Sequence, residues 1–537
     1  MSQASFSHIC HPEWSVAEDL QFSGQQKTLP QGLKPDSLTG TIARAKALAY
    51  PVLSIFALAI GAALLQTADA QQAQPWTQIP IPPLRPFHPE QPKRIELKNG
   101  LVILLEEDHE LPFINGFIDM RGGSRDEPAN KAGLVDLYSD TWRTSGTASK
   151  DGDALDDLLE AKAAKVETGG DVDSTSVSWS CLTKDEDLVF GIAVDLLKHP
   201  VFKDDKLMLA KQQAAAGIVR RNDEASAIAE REAAKLVYGP DSPYSREPEL
   251  ATIKAVTIED LKQWHDKTLV PNNMIIGVEG DFDSATMEKA LRDAFENMPR
   301  GTAWPKPTGE FPGPKPGVYV VDKSDVNQSN VDILGLGTLR SNPDYFALSV
   351  MNEIFSGGFG SRLFQDVRTK QGLAYAVGGG YGSSYDHPGM FRVVAATKSA
   401  TTTKAAQSML AEIGDLKTKP FTEDELKRAK DQVLNSFIFN YDTKEKVLAA
   451  ASRLEFYGYP ADFLAKYRDG VEKVTTADLD RVAKKYIDTS KLAVLVVGNQ
   501  QQLGTPLTEL GMGAPHPIDI AIPGAPQQGQ GENGGEQ

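Results

Sequence analysis

The sequence predicts an α+β protein made of two related domains, and three observations lead there. The chain has 537 residues, more than one hydrophobic core organises, so two domains of roughly 200 residues plus tails are expected. Residues 256–280 (VTIEDLKQWHDKTLVPNNMIIGVEG) and 474–498 (VTTADLDRVAKKYIDTSKLAVLVVG) align without a gap at a spacing of 218 residues. Between them, residues 299–317 (PRGTAWPKPTGEFPGPKPG) hold too many prolines and glycines for a regular element and read as a linker.

Each copy of the repeat opens on a capping box, Thr257 with Asp260 and Thr475 with Asp478. In such a box the hydroxyl and the carboxylate satisfy two otherwise orphaned amides. An amphipathic helix follows, then an apolar strand rich in β-branched residues that ends on glycine. Shared caps at a fixed spacing favour a duplicated domain over chance similarity of two helix–strand units.

The elements then fall in order. Residues 47–65 (ALAYPVLSIFALAIGAALL) follow Arg44 and Lys46 and precede Ala68-Asp69-Ala70, the layout of a secretory signal peptide. Cleavage after Ala70 starts the mature chain at Gln71 and places it in a bacterial periplasm; left uncut, the run is also long enough to anchor the protein in the inner membrane. Residues 1–73 are read as the leader and 74–92 as a proline-rich connector. Loss of the leader removes Cys10, one of two cysteines, and leaves Cys181.

The first domain spans 93–298. Asn99-Gly100 between two apolar runs in Ile95–Glu106 predicts a hairpin. In the strand Asp171–Leu182, Val177, Trp179 and Cys181 share one face while Ser176, Ser178 and Ser180 share the other. Cys181 is therefore read as a core residue, not a nucleophile. Helical patterns cover Asp153–Lys165, Lys184–Leu197 and Leu209–Glu224. Strands and helices in mixed order suggest an antiparallel-rich sheet with helices on one side in each domain. The second domain, 318–502, includes a capped amphipathic helix over Thr422–Phe437, and residues 503–537, rich in Gly, Pro and Gln, are expected to be disordered.

Composition narrows the function. Fifty-six Lys and Arg against 73 Asp and Glu give a net charge of −17, which repels phosphate backbones and argues against nucleic acid. Two cysteines exclude a disulfide scaffold and a cysteine-rich zinc module, and eight histidines leave few metal ligands.

Two segments carry a family resemblance. Ala132–Thr147 (AGLVDLYSDTWRTSGT) and Ser356–Gly382 (SGGFGSRLFQDVRTKQGLAYAVGGGYG) resemble the pitrilysin/insulinase family of metallopeptidases, which includes the mitochondrial processing peptidases and their bacterial relatives. The resemblance covers about 410 residues, from Ile95 to near Gln502. It implies two homologous domains closing as a clamshell. In active members the first segment carries H-x-x-E-H on a helix, two histidines for zinc and a glutamate for its water. Aligned on Gly133, those positions are Asp136, Ser139 and Asp140, and a one-residue slip brings in no histidine, the nearest being His109 and His199. The family's third ligand, a glutamate about 75 residues on, meets Ala, Gly, Ile and Val in Leu209–Glu224. No metal or other cofactor is expected in this chain. Asp136 and Asp140, one helical turn apart, can offer oxygen ligands to Ca²⁺ or Mg²⁺; the plainer reading is two carboxylates facing a solvated cleft.

The second segment keeps its family pattern, including Gly357, Gly358, Ser361, Arg362, Leu363, Arg368 and Tyr375. The resemblance implies that Arg368 and Tyr375 hold a scissile carbonyl and its developing negative charge, and that Gly357, Gly358 and Ser361 border bound substrate. Without the resemblance, Arg368 reads as a helix-end ion-pair partner of Asp366 or a neighbour, and Tyr375 as a core ring with its hydroxyl at the surface. Bacterial members commonly pair a zinc-bearing chain with one that keeps Arg and Tyr. The expectation is thus a subunit with no independent activity, completing an exported peptidase with a homologous zinc-bearing partner and acting on peptides or unfolded segments. The alternative is an inactive peptide-binding or assembly protein of the same fold. A self-sufficient metalloenzyme using Asp136 and Asp140 is expected to be wrong.

Overall fold

The computed structural model describes residues 90–307 and 309–525. The segment read as a leader with a signal peptide, most of the segment read as a connector, and residues 526–537 lie outside the described residues. No helix among the described residues is long and apolar enough to cross a membrane.

The first half lays down β1 (Lys93–Glu96), β2 (Val102–Glu107), β3 (Phe113–Arg121), β4 (Lys165–Gly170), β5 (Ser174–Leu182) and β6 (Met274–Gly280). They form one six-stranded sheet in the order β1-β2-β6-β3-β5-β4. The predicted Asn99-Gly100 turn joins β1 to β2, with Gly100 at φ 89°, a conformation glycine adopts without strain. The second half supplies β7 (Gly317–Asp322), β8 (Gln328–Leu336), β9 (Thr338–Leu339), β10 (Ala374–Tyr381), β11 (Ser383–Ser384), β12 (Met390–Lys398), β13 (Ala493–Gly498) and β14 (His516–Pro517). Here the order is β10-β12-β8-β13-β7-β14, with β9 and β11 paired separately. Read from β4 and from β10, the two sheets place equivalent strands in the same sequence. Only the sixth place differs: the N-terminal β1 fills it antiparallel to β2, and the C-terminal β14 fills it parallel to β7. Pairing is otherwise antiparallel except β2 with β6, β7 with β13 and the separate pair β9 with β11.

The helices of the first half are α1 (Leu134–Ser145), α2 (Gly152–Glu160), α3 (Glu186–Lys198), α4 (Asp204–Arg220), α5 (Ala225–Tyr238), α6 (Leu250–Ala255), α7 (Ile258–Thr268) and α8 (Ser284–Phe295). Those of the second are α9 (Tyr345–Ser356), α10 (Thr402–Thr418), α11 (Glu423–Phe437), α12 (Lys444–Tyr457), α13 (Phe463–Lys473) and α14 (Thr476–Tyr486). Both repeat copies form the helix–strand unit read from the sequence, α7–β6 and α14–β13, with both capping boxes made. The helix expected over Asp153–Lys165 stops at Glu160, because Lys165 is already paired in the edge strand β4. The helix expected from Leu209 begins five residues earlier, at Asp204, and ends at Arg220.

Alternation along the strands sends side chains to two faces of each sheet. One face packs on the half's own helices: Ile103, Ile118, Val177 and Ile276 with Tyr138, Trp142 and Leu196 in the first half, and Val331, Ile333, Val393 and Val494 with Met351, Phe355 and Met409 in the second. Cys181 is buried in the first of these cores, as its strand register predicts.

The opposite faces are where the expectation of helices on one side falls short. α5, a first-half helix, packs Ile228, Ala229, Ala233 and Val237 on Val321, Leu334, Leu495 and Val497 of the second sheet. α12, from the second half, returns the favour by setting Leu448 against Val102, Leu104 and Ile275 of the first. The continuous apolar run of β13, buried on both faces, requires such a cover. Polar contacts follow the exchange. Arg94 grips Glu455 through two bonds of 2.8 Å, Arg121 donates to the Phe456 carbonyl at 2.8 Å, the Tyr457 hydroxyl donates to Asp173, and Arg125 meets Asp386 at 2.5 Å.

The linker, 299–316, has no regular element but is packed, Trp304 against Trp264 at 5.9 Å and Phe311 edge-on to Tyr238 at 5.8 Å. A second departure concerns the tail, expected to be disordered from 503. Leu507 is buried, and β14 adds to β7 up to the Ile518 amide, which donates to the Val320 carbonyl at 2.8 Å. Apolar Leu507, Ile518, Ile520 and Ile522 supply the burial that a low-complexity reading of Gly, Pro and Gln overlooks.

Candidate functional site

α1 sits beside the edge strand β4, and its start is set by an acid that the sequence did not single out. The N-cap is Gly133, at φ 93°, which offers no side chain. Glu127, buried just upstream, accepts from the amides of Gly133 (2.9 Å) and Val135 (2.6 Å) in its place. A carboxylate at that end also complements the helix dipole. The buried face of α1 is aromatic: Tyr138 and Trp142 rings lie 5.0 Å apart, Trp142 donates to the Leu196 carbonyl at 2.7 Å, and the Tyr138 hydroxyl pairs with Nδ1 of the buried His265 at 2.8 Å.

The three positions where active relatives carry zinc chemistry divide between the faces. Asp136 and Asp140 are exposed, while Ser139 is buried and returns its hydroxyl to the Val135 carbonyl at 2.9 Å. Both carboxyls keep open surface yet stand low among surrounding protein. Burial raises their pKa, and for Asp136 the charges of Asp140 and Asp171 add to the effect. Zinc wants imidazole or thiolate plus a carboxylate and a water-activating base; two mutually repelling aspartates and a serine do not fit it. Among the described residues no group of three His, Cys, Asp or Glu is placed to hold a metal ion.

The retained segment lies beside β10, an edge strand of the second sheet. α9 ends at Gly357, Gly358 turns at φ 98°, and Ser361 is buried with its hydroxyl on the Gly358 carbonyl at 2.7 Å. Gly357 lies close to α9: a Cβ there would stand 2.2 Å from the Glu353 carboxylate and push that side chain aside. Burial pushes that carboxyl up to about 7. Arg362 ties the turn to α11, meeting Glu425 through two bonds of 2.7 and 2.9 Å. Glu425 also closes the capping box with Thr422. The Arg362 hydrogen bond foremost, and the Thr422 amide after it, hold the Glu425 carboxyl down at about 2.

Phe364–Lys370 then forms a wide π-type turn, a geometry frequent at functional sites. Its effect is to bring Arg368 between two rings, with the guanidinium carbon 4.7 Å from the Phe364 centroid and 5.2 Å from that of Tyr375. Phe359 stands edge-on to Phe364 at 4.9 Å. The ion pair of Arg368 with Asp366 is not formed; Asp366 accepts from Gln371 at 2.5 Å instead. Tyr375 is no core ring, being 78% exposed, and Phe359 is 67% exposed. The structure thus unites Arg368 with Tyr375, as the motif implies, and adds Phe364 and Phe359, for which aromatic residues four and nine places before Arg368 were the available signal. No hydrogen bond, ion pair or ring contact joins this cluster to Asp136, Ser139 or Asp140 among the described residues.

A family model described as "Peptidase M16 inactive domain" matches residues 255–433, which include the whole Gly, Arg and Tyr segment. A protein of Helicobacter pylori described as "Non-peptidase homolog YmxG" is 25% identical over 412 residues, covering 74% of this chain and 92% of its own length. One of Bacillus subtilis, "Uncharacterized zinc protease YmxG", is 22% identical over 402 residues, 73% of this chain and 93% of its own. A solved "peptidase M16 inactive domain" from Pseudomonas fluorescens superposes with a TM-score of 0.69 at 23% identity over 76% of this chain and 98% of its own, a likeness of fold. Family model, relatives and fold agree with the altered zinc positions: the chain resembles the peptidase M16, or pitrilysin/insulinase, family in sequence and shares its fold.

Proposed function

We propose that this chain is the subunit without zinc of an exported heterodimeric peptidase, lending Arg368 and Tyr375 to the zinc centre of a homologous partner. One observation carries the reading: the zinc positions are emptied while a half-buried Arg368 stays beside the exposed Tyr375. A tyrosine 78% exposed buries little of its ring, so packing alone does not account for it beside Arg368. The partner's metal would polarise the scissile carbonyl. Arg368 would then supply a fixed positive charge and Tyr375 a hydrogen bond where negative charge grows. Phe364 limits the rotamers of Arg368 through its ring face. Gly357, Gly358 and Ser361 would let an extended peptide come close beside the edge strand β10. The signal peptide of residues 47–70 would deliver the chain to the periplasm, or hold it at the inner membrane if left uncut.

The test is co-expression with a homologue that carries an intact H-x-x-E-H, followed by a peptidase assay of each chain and of the pair. Arg368→Ala and Tyr375→Phe are expected to lower the pair's kcat by about 10²-fold each while the complex stays intact. Unchanged turnover in both would defeat the shared site.

A second reading has an observation of its own. The H. pylori relative is described as a non-peptidase homologue, which favours a peptide-binding or assembly role without any share in catalysis. Under it, the Arg368 and Tyr375 variants would weaken peptide binding to the isolated chain and leave a partner's turnover untouched.

A further inference from the structure

We propose that residues 514–525 are a strap that ties the outer edge of the second sheet to the first half and sets how far the two halves part. Its root is fixed on the second half. There, Thr403 donates its hydroxyl to the Thr505 carbonyl at 2.6 Å, Gln407 donates to the Glu509 carbonyl at 3.0 Å, and Leu507 is 3% exposed. At Gly513, φ 92°, the chain turns and runs along β7. His516 and Pro517 take the sixth place in the sheet, and the His516 ring lies 5.4 Å from that of Tyr319.

Beyond β14 the strap leaves its own half. Ile518 and Ile520 enter the apolar cluster that α5 makes with the second sheet. Asn222, in the connection between α4 and α5, donates to the Ile520 carbonyl at 2.7 Å. Ile522 packs on the core of the first half. One short segment therefore touches the second sheet, the exchanged helix and the first core in turn. The first half has no counterpart, since β1 fills the equivalent place and is antiparallel to its neighbour.

A merely protective edge strand would need only the pairing with β7. Ile522 and the Asn222 contact extend past that need, and their geometry is that of a tether. Because the exchanged helices already interlock the halves, the strap limits a small parting motion and does not hold the fold together.

The test compares the full chain with three variants by small-angle scattering and hydrogen exchange. A stop after Ala525 should change nothing. A stop after Gly513 should enlarge the radius of gyration and speed exchange in β7 and α5 by about tenfold or more. The double variant Asn222→Ala with Ile522→Ser should enlarge the radius while β7 stays protected. If the shorter truncation does not fold, the double variant decides alone. An unchanged radius in the double variant, or deprotection confined to β7 in the truncation, would reduce the segment to an edge cover and overturn the proposal.

Discussion

In each six-stranded sheet one edge strand, β4 or β10, is flanked by a segment that resembles a family motif, and the two segments differ. Beside β4, α1 keeps its aromatic underside, Tyr138 and Trp142, and presents two aspartates to solvent. Beside β10, the π-type turn keeps a half-buried arginine against an exposed tyrosine. A helix whose buried face holds a core survives the loss of its exposed chemistry, because packing depends on one face only. Tyr375, 78% exposed, has no such support, so its place beside Arg368 asks for a role in binding.

The comparison can be broken most forcefully through Trp142. If α1 is now a packing element, Trp142→Ala should cost about 4 kcal/mol in chemical denaturation, from lost burial and the orphaned Leu196 carbonyl. A loss under 1 kcal/mol would show that α1 no longer carries the core. On the other side, Arg362→Ala removes the double bond to Glu425 and should cost about 2 kcal/mol. Because Glu425 is held at about 2, below its unfolded value, that stabilisation is present above about pH 4 and is lost as pH falls towards 2. Wild type and variant should therefore converge in acid.

Asp119 sharpens the first half further. Burial, then the neighbouring Asp173, push its carboxyl up to about 7. A raised carboxyl favours folding while protonated, so its contribution is full below about pH 4 and lost as pH rises through 7. Asp119→Asn should raise thermal stability at pH 8 by on the order of 1 kcal/mol and leave it unchanged at pH 4. The smallest effect is expected at the vacated positions: Asp136→Asn and Asp140→Asn should each stabilise by about a few tenths of a kcal/mol at neutral pH, relieving mutual repulsion across solvent. Destabilisation by either would point to a bound cation that the two carboxylates hold.

Much of the fold could be read in advance because it is written locally. The capping boxes at Thr257 and Thr475 and the face alternation around Cys181 each depend on a few neighbouring residues. The exchange of α5 and α12 was not legible, since an amphipathic helix does not say which sheet it will cover. Nor was the tail, whose alternating Ile518, Ile520 and Ile522 form a period-2 pattern too short to stand out from the surrounding Gly, Pro and Gln. At the site, Arg368 and Tyr375 came from a motif, whereas Glu127 and Glu353 act through burial that only the tertiary structure creates.

The most direct measurement is peptidase turnover by the pair formed with a zinc-bearing homologue. Either chain alone should be inactive, the pair active, and Arg368→Ala in this chain should depress kcat by about 10²-fold with the complex intact. Full turnover by the pair carrying Arg368→Ala and Tyr375→Phe together would contradict the shared site.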